Sequence, residues 1–275
     1  MCTVPVLTKI CRESYNDPRA VYETLKRRGM DLVTVTDHDS VDSVEQLRHH
    51  PDFFLSEEVT CTTPSGTELH MGVYGIEDRH HAELQRRRHD LISLIAYLGE
   101  QNLFFSINHV FSSLTGPRTD ADFALFQDYF PGVETRNGQM LATCNRSAEL
   151  LARRWNKTAV AGSDAHTLTA LGLTHTEVPG ARNAAEYLDG LRNGFSHAHG
   201  VSGDYWTLTQ AVAEIGLCLM RERAWTVAIT PLLLAVPVIT LVNYLKELAF
   251  NRKWSRHLLG DEARLTADCA PETAL

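Results

Sequence analysis

"VTVTDHDSVD", residues 33–42, places four apolar or β-branched residues directly before Asp37, His38 and Asp39. A continuous apolar run of this kind is typical of a strand that is buried in a parallel sheet. Such a strand does not normally end in three polar side chains that bind protons and metals. The stretch therefore predicts either a strand that delivers a reactive site at its tip or an ordinary strand with a polar turn after it.

Several other predicted strands end in the same kinds of residue, which favours the first interpretation. In a barrel of parallel strands the carboxyl ends open on one face, where sites are built. Carboxylates and imidazoles are ligands of divalent metals such as Mn, Zn and Fe. Taken singly, each residue is more often a helix cap or a core histidine, but five such endings favour one shared metal site. These endings are Asp37 and His38, Glu57 and Glu58 in "SEEVT", His70 in "GTELHMGVYG", His109 in "SINHV", and Asp164 and His166 in "AVAGSDAH".

Strand-like and helix-like segments alternate along the first part of the chain. "DPRAVYETLKRRG" begins with Asp17 as a cap and Pro18 at the first helical position, and Gly29 ends it. Roughly seven strand-then-helix steps precede Gly200, which predicts an α/β barrel rather than an open sheet. One of the predicted helices is long and covers "HAELQRRRHDLISLIAYLGEQ".

Composition narrows the class of protein. The chain has 275 residues and a formal net charge of -8, which argues against a stable nucleic-acid partner because such proteins normally present a basic face. Its six cysteines form no C-x-x-C pair, so neither a zinc knuckle nor a disulfide framework is expected. No apolar run in the first twenty residues is long enough for a secretory signal. We therefore expect a cytoplasmic protein.

Taken in order, "TDHD", "EEVT", "LHMGVYG", "NHV" and "GSDAH" resemble the motifs of the polymerase and histidinol phosphatase (PHP) family, over roughly residues 2–200. The resemblance implies a distorted seven-stranded (β/α) barrel with two or three divalent ions (Mn, Zn or Fe) that hydrolyses phosphoesters of small metabolites or nucleotides. It assigns Glu58 as the bridging carboxylate, in preference to Glu57. The implied metal ligands are Asp37, His38, Glu58, His70, His109, Asp164 and His166, of which Asp37, His38 and His166 are the candidate catalytic residues.

The chain departs from the family pattern at its start. The family opens with a His-x-His pair before the "TDH" motif, whereas no histidine precedes His38 here. The barrel is therefore expected to be N-terminally incomplete. The resemblance then implies weak hydrolysis by this form of the chain, with the remaining ligands still able to hold one metal.

Three further features have less specific interpretations. Arg118 and Arg136 are candidate substrate-binding residues that would clamp a phosphate, although an exposed arginine without a ligand is an equal alternative for each. His197 and His199 in "FSHAHG" have the spacing of a metal-binding pair. Their position after the last predicted helix favours a surface role instead.

The composition changes after Gly200, which divides the chain into a PHP-like region, 1–200, and a C-terminal helical region, 201–275. Residues 225–245, "WTVAITPLLLAVPVITLVNYL", carry no charge and are long enough to cross a bilayer as one helix, with Pro231 and Pro237 as kinks. The alternative is a buried or dimer-forming helix. The first interpretation predicts attachment to the inner face of the membrane.

Two functions follow from these expectations. The first is metal-dependent hydrolysis of small phosphorylated substrates by a membrane-tethered enzyme. The second is a catalytically impaired PHP-like module that binds a ligand or acts as a scaffold at the membrane. A His-x-His pair upstream of Met1 would favour the first.

Overall fold

The computed structural model describes Ser14, residues 16–223, Thr226, residues 233–260 and Glu262. Its strands are β1 (Ser56–Thr62), β2 (Glu68–Tyr74), β3 (Phe104–Ile107), β4 (Gly132–Asn137), β5 (Thr158–Gly162), β6 (Thr174–Glu177) and β7 (His197–Gly200). A 3₁₀ helix covers Asp42–Leu47. The α-helices are α1 (Pro18–Arg27), α2 (Asp78–Arg87), α3 (Leu91–Glu100), α4 (Asp120–Tyr129), α5 (Ala142–Trp155), α6 (Ala184–Arg192), α7 (Tyr205–Glu222) and α8 (Val236–Leu259).

Five strands form one mixed sheet in the order β1-β2-β3-β4-β5. β3, β4 and β5 are parallel, as the alternating pattern predicts, with α4 and α5 as the crossover helices. β1 and β2 are antiparallel because the turn between them, residues 63–67, is too short for a crossover. The prediction of a largely parallel sheet is therefore correct for only one half.

The "VTVTDH" stretch lies along the outer edge of β1. Val33 and His38 form isolated parallel bridges with Phe53 and Glu58, and Val33 is buried. The segment is therefore an extended edge with two bridges rather than a full strand. His38 still lies at its carboxyl end, beside Glu58.

The last two strands form a separate antiparallel ribbon. Thr176 attaches β6 to β5 because its hydroxyl contacts both the amide and the carbonyl of Ala161, at 2.7 and 2.9 Å. The described strands thus make a five-stranded sheet and a two-stranded ribbon. This α/β arrangement does not confirm a seven-stranded barrel.

The predicted long helix after β2 is two helices. Asp90 caps the second one, since its carboxylate accepts a hydrogen bond from the Ser93 amide at 3.1 Å. A capping residue stabilises a helix start, so α2 ends and α3 begins where the periodicity alone suggests one helix.

The C-terminal helices pack against the rest of the fold. Trp254 and Leu259 of α8 are buried in the main hydrophobic core, and the Trp254 ring lies 4.7 Å from that of Phe123 on α4. The predicted division of the chain at Gly200 stays a prediction, but α8 is in contact with the rest of the fold. Its buried face is part of the same core as the sheet.

The uncharged run 225–245 is not one helix in the part that the structure describes. Residues 225 and 227–232 lie outside the described ranges, and α8 begins only at Val236, after a turn at Leu234 and Ala235. Pro237 lies in the first turn of α8, where its missing amide costs nothing, so it starts this helix instead of kinking a longer one. No helix of the described ranges is both long and apolar enough to cross a bilayer.

Candidate metal centre

Glu58 lies at the centre of the site because of the alternation of β1. Glu57, Val59 and Cys61 face the core, so Glu58 faces the opposite side of the sheet. Its partner on β2 is Gly72, where a Cβ atom would come within 2.7 Å of the Tyr74 hydroxyl and 3.1 Å of Asn108 Oδ1. Glycine at this position leaves room for the side chains that surround the carboxylate.

Three histidines from three segments surround the Glu58 carboxylate. His38 Nε2 is 3.5 Å from Oε2, while His70 Nδ1 and His109 Nε2 are 3.5 and 3.4 Å from Oε1. The last two nitrogens are 3.2 Å apart. The sequence-predicted Glu58, His38, His70 and His109 are thus brought together.

A chain of hydrogen bonds on the floor of the site orients Glu58. Asn108 Nδ2 donates to Glu58 Oε1 at 3.0 Å, and its Oδ1 accepts from the Ser106 hydroxyl at 2.9 Å. The Tyr74 hydroxyl lies 3.3 Å from the Ser106 hydroxyl. Sequence reasoning missed these three positioning residues, although Asn108 directly precedes a predicted ligand.

The charges of the cluster are strongly coupled. Burial raises the pKa of Glu58, but the hydrogen bond from His109 and the charges of the histidines outweigh it, so the pKa is lowered. Burial lowers the pKa of His109, but its hydrogen bond to Glu58 and nearby carboxylates raise it to about 9. Burial and the charge of His109 lower the pKa of His70 to about 3. Of the two histidines, His109 therefore carries the proton and His70 is neutral.

A second carboxylate group adjoins the first. Glu134 Oε2 accepts from the His109 amide at 2.7 Å. Asn137 Nδ2 lies 3.1 Å from both oxygens of Glu134 and 3.2 Å from Asp164 Oδ2. The chain of contacts from His109 through Glu134 and Asn137 connects Asp164 to the histidine cluster.

A register shift in β4 explains why Asn137 faces the site. The irregularity falls between Glu134 and Arg136, so Glu134 and Asn137 share a face instead of Glu134 and Arg136. Sequence reasoning missed Glu134 and Asn137. The only signal was their position on a predicted strand. Strict alternation along that strand would have placed Arg136, and not Asn137, on the same face as Glu134.

The remaining predicted ligands line a large cleft with Glu58. Asp37, His38, Asp164 and His166 all contribute to its wall, and its volume is about 1360 Å³. His166 Nδ1 is 3.7 Å from Asp164 Oδ1 and 3.0 Å from the Asp164 carbonyl oxygen, and the Asp37 carboxylate accepts from the Ser43 hydroxyl. All seven predicted ligands are therefore in or directly beneath this cleft.

Backbone strain is concentrated at the same place. His109 and Asp164 have φ values of 31° and 47°, and Asp39, next to His38, has 54°. A positive φ is uncommon for residues other than glycine, although aspartate, asparagine and histidine adopt it more often than the rest, and such conformations cluster at functional sites.

The two arginines predicted to clamp a phosphate lie elsewhere. Arg118 is 4 % exposed and donates to the Glu68 carbonyl and to Thr115 Oγ1, and burial lowers its pKa to about 10. Arg136 is turned by the register shift of β4 and donates to the Gly200 carbonyl at 2.8 Å. Neither side chain lines the cleft.

Glu57 belongs to a different network on the other face of β1. Its carboxylate contacts His81 Nδ1 at 2.7 Å and accepts from Gln85 Nε2 at 2.5 Å. This supports the preference for Glu58 over Glu57 in the site. The contact with His81 also joins α2 to the sheet.

The donor set fits a divalent cation. His38, Glu58 and His70 each offer a ligand atom, and these atoms lie within 4.8 Å of one another. Nδ1 of His109 is buried and has no hydrogen-bond partner in the described part of the chain. Two imidazoles and a carboxylate are the ligands of Zn, Mn and Fe sites.

The comparisons with known proteins agree with this geometry. A family model described as PHP-associated matches residues 143–195. This match supports the resemblance to the PHP family that the sequence motifs indicate. No curated protein matches its sequence.

Two solved structures are similar in fold to this chain. PsfC from Pseudomonas syringae PB-5123 is 16% identical with a TM-score of 0.55, covering 76% of this chain and 93% of PsfC. The lesion-specific endonuclease PfuEndoQ from Pyrococcus furiosus is 14% identical with a TM-score of 0.51. That match covers 70% of this chain and 57% of the endonuclease. The region that matches the family model covers nearly all of α5 and the whole of β5, β6 and α6, and it includes Asp164 and His166.

Proposed function

We propose that this protein is a metal-dependent phosphoesterase with a di- or trinuclear site that acts on small metabolite or nucleotide phosphates. The observation that carries the proposal is the buried cluster of His38, His70 and His109 around Glu58, open to a cleft lined by Asp37, Asp164 and His166. The endonuclease of similar fold belongs to an enzyme class that cleaves phosphodiester bonds.

Each residue has a role in the proposed reaction. Glu58, oriented by Asn108, would be a carboxylate ligand at the centre of the site, and His38, His70 and His109 would supply imidazole nitrogens, His109 after releasing its proton. Asp37 and Asp164 would add carboxylate ligands. Cations at this site would supply a Lewis acid for the phosphoryl oxygen and lower the pKa of a water ligand. His166, at the rim of the cleft, is placed to move a proton to the leaving oxygen.

The finer architecture belongs to the same proposal. In this proposal the wall of an incomplete barrel of the PHP type would consist of three parts in succession. They are the bridged segment 33–38, the five-stranded sheet and the β6–β7 ribbon. Residues 1–13 lie outside the described ranges, so the expected incompleteness of the barrel at its start stays a prediction. Attachment of the protein to the inner face of the membrane is part of the same proposal.

Turnover of bis(4-nitrophenyl) phosphate and nucleoside monophosphates, measured with Mn²⁺ or Zn²⁺, tests the function. Glu58→Gln removes the bridging charge, so it should abolish both metal retention and turnover. Glu57→Gln is the matched control, because Glu57 is the neighbouring buried carboxylate on the opposite face of β1. It should retain both.

The same experiment separates the proposal from its alternative. If the unaltered chain retains metal through Glu58 but hydrolyses no better than Glu58→Gln, the protein is a ligand-binding PHP-like module. If Glu58→Gln retains metal as tightly as the control, the site itself is misassigned.

A further inference from the structure

The β6–β7 ribbon carries four side chains of metal-binding type on one face. Its register pairs His175 with His199 and Glu177 with His197. Residues two apart on a strand share a face, and directly opposed residues have Cβ atoms about 4.5–5.5 Å apart. His175, Glu177, His197 and His199 therefore form a square of donors that the proposed phosphoesterase site does not use.

The distances within this square suit a shared ion. The ring centroids of His175 and His199 are 5.8 Å apart, and those of His197 and His199 are 6.2 Å apart. Two imidazoles that share a zinc ion at about 2.0–2.1 Å per bond have centroids roughly 5–6 Å apart. Glu177 Oε2 lies 2.9 Å from His199 Nε2, so the carboxylate reaches the same place.

His175 is prepared to act as a ligand. Its Nδ1 is buried without a hydrogen-bond partner in the described part of the chain. A buried polar atom without a partner calls for an explanation, and an ion bound at this nitrogen would be one.

We propose that His175, His199 and Glu177, with His197 at the edge, form a second divalent transition-metal site on this ribbon, with zinc as the ion that best fits the donors. Imidazole and carboxylate ligands select zinc, copper or nickel over calcium or magnesium. His175 and Glu177 also line the large cleft, so the site lies on its rim. The proposal does not depend on phosphoesterase activity.

The side chains of the ribbon site would have to rotate to bring their ligand atoms around one ion. Among the described residues, three ligand atoms lie within 4.8 Å of one another only at His38, Glu58 and His70. The side chains of His199 and Glu177 are 48% and 54% exposed, and exposed side chains change rotamer in picoseconds to nanoseconds. We therefore expect weaker binding here than at the cluster around Glu58.

Zinc titration of the full-length, metal-stripped chain tests the proposal. His199→Gln should lose the weaker of two binding events or weaken it at least tenfold, while the tighter event is unchanged. His49→Gln, which removes an exposed histidine outside the ribbon, is the matched control and should keep both events. Equal zinc stoichiometry and affinity in the two variants would overturn the proposal.

A second measurement does not depend on the variant folding. Crystals of the unaltered chain soaked in zinc should show an anomalous peak between His175 and His199. No peak there, in crystals whose Glu58 cluster is filled, would also overturn it. Binding at the ribbon without turnover would leave this site standing and count only against the proposed activity.

Discussion

Glu134 is a buried carboxylate among other carboxylates, and its protonation should govern stability near neutral pH. Burial raises its pKa, and Asp164 and Glu58 raise it further against the opposing effect of His109, to about 7. An acid whose pKa is higher in the folded than in the unfolded state stabilises the fold at low pH. That contribution falls as the pH rises from about 4.5 to about 7.

Glu134→Gln should therefore stabilise the metal-free protein increasingly across this pH range. The expected difference in unfolding free energy reaches at most about 3 kcal/mol, at about 1.4 kcal/mol per unit of pKa shift. Urea unfolding in the presence of a chelator, at pH 5 and pH 7.5, measures it. Glu100→Gln, at the exposed end of α3, is the control. A difference that does not grow with pH would contradict the assigned pKa.

The residues that the sequence could predict were those with distinctive chemistry at strand ends. Glu58 and His70 were found because a carboxylate and an imidazole after apolar runs are uncommon. Asn108 and Asn137 were missed since amides are common in loops and their roles depend on which atoms they meet. Arg136 was misplaced because a shift of one residue in register turns a side chain to the other face.

At the scale of elements, helix α8 supports the loop that carries His109. Glu247 of α8 is 6% exposed and accepts hydrogen bonds from the Ser113 amide at 3.1 and 3.2 Å and from its hydroxyl. Ser113 is four residues after His109, and the Ser112 amide donates to the His109 carbonyl. α8 thus holds the loop that follows His109 in the candidate metal centre.

Glu247→Ala should weaken metal binding by about tenfold, because the partners that orient ligands typically contribute 10–100-fold. Metal affinity measured by competition with a chelator tests this. Lys246→Ala, its exposed neighbour on α8, should leave the affinity unchanged. A fall in melting temperature without a change in metal affinity would mean that Glu247 supports only the fold.

For the whole molecule, the composition of the chain changes at Gly200 from mixed to apolar character, and the division into two regions there stays a prediction. Helical periodicity, however, does not reveal which surface a helix covers. Only the structure shows that Trp254 stacks near Phe123 and that Leu259 joins the core.

Truncation after Gly200 should therefore destabilise the remaining chain and reduce its retained metal. Trp254→Ala, a milder version of the same change, should cost about 3–5 kcal/mol of unfolding free energy. Urea denaturation of both variants measures the effect, and fractionation of cells expressing the full chain tests the membrane attachment. A truncated chain with an unchanged unfolding midpoint would restore the view of residues 201–275 as a separate unit.

The left-handed backbone at His109 and Asp164 also bears on how this protein would drift if its function were no longer selected. Glycine adopts such conformations without steric cost, whereas other residues pay about 1–3 kcal/mol. At these two positions replacement by glycine would therefore abolish a ligand and improve folding. A descendant of this chain that had lost its role would be expected to lose His109 and Asp164 early. Retention of both residues in a divergent relative would be a sign that the metal centre is still in use.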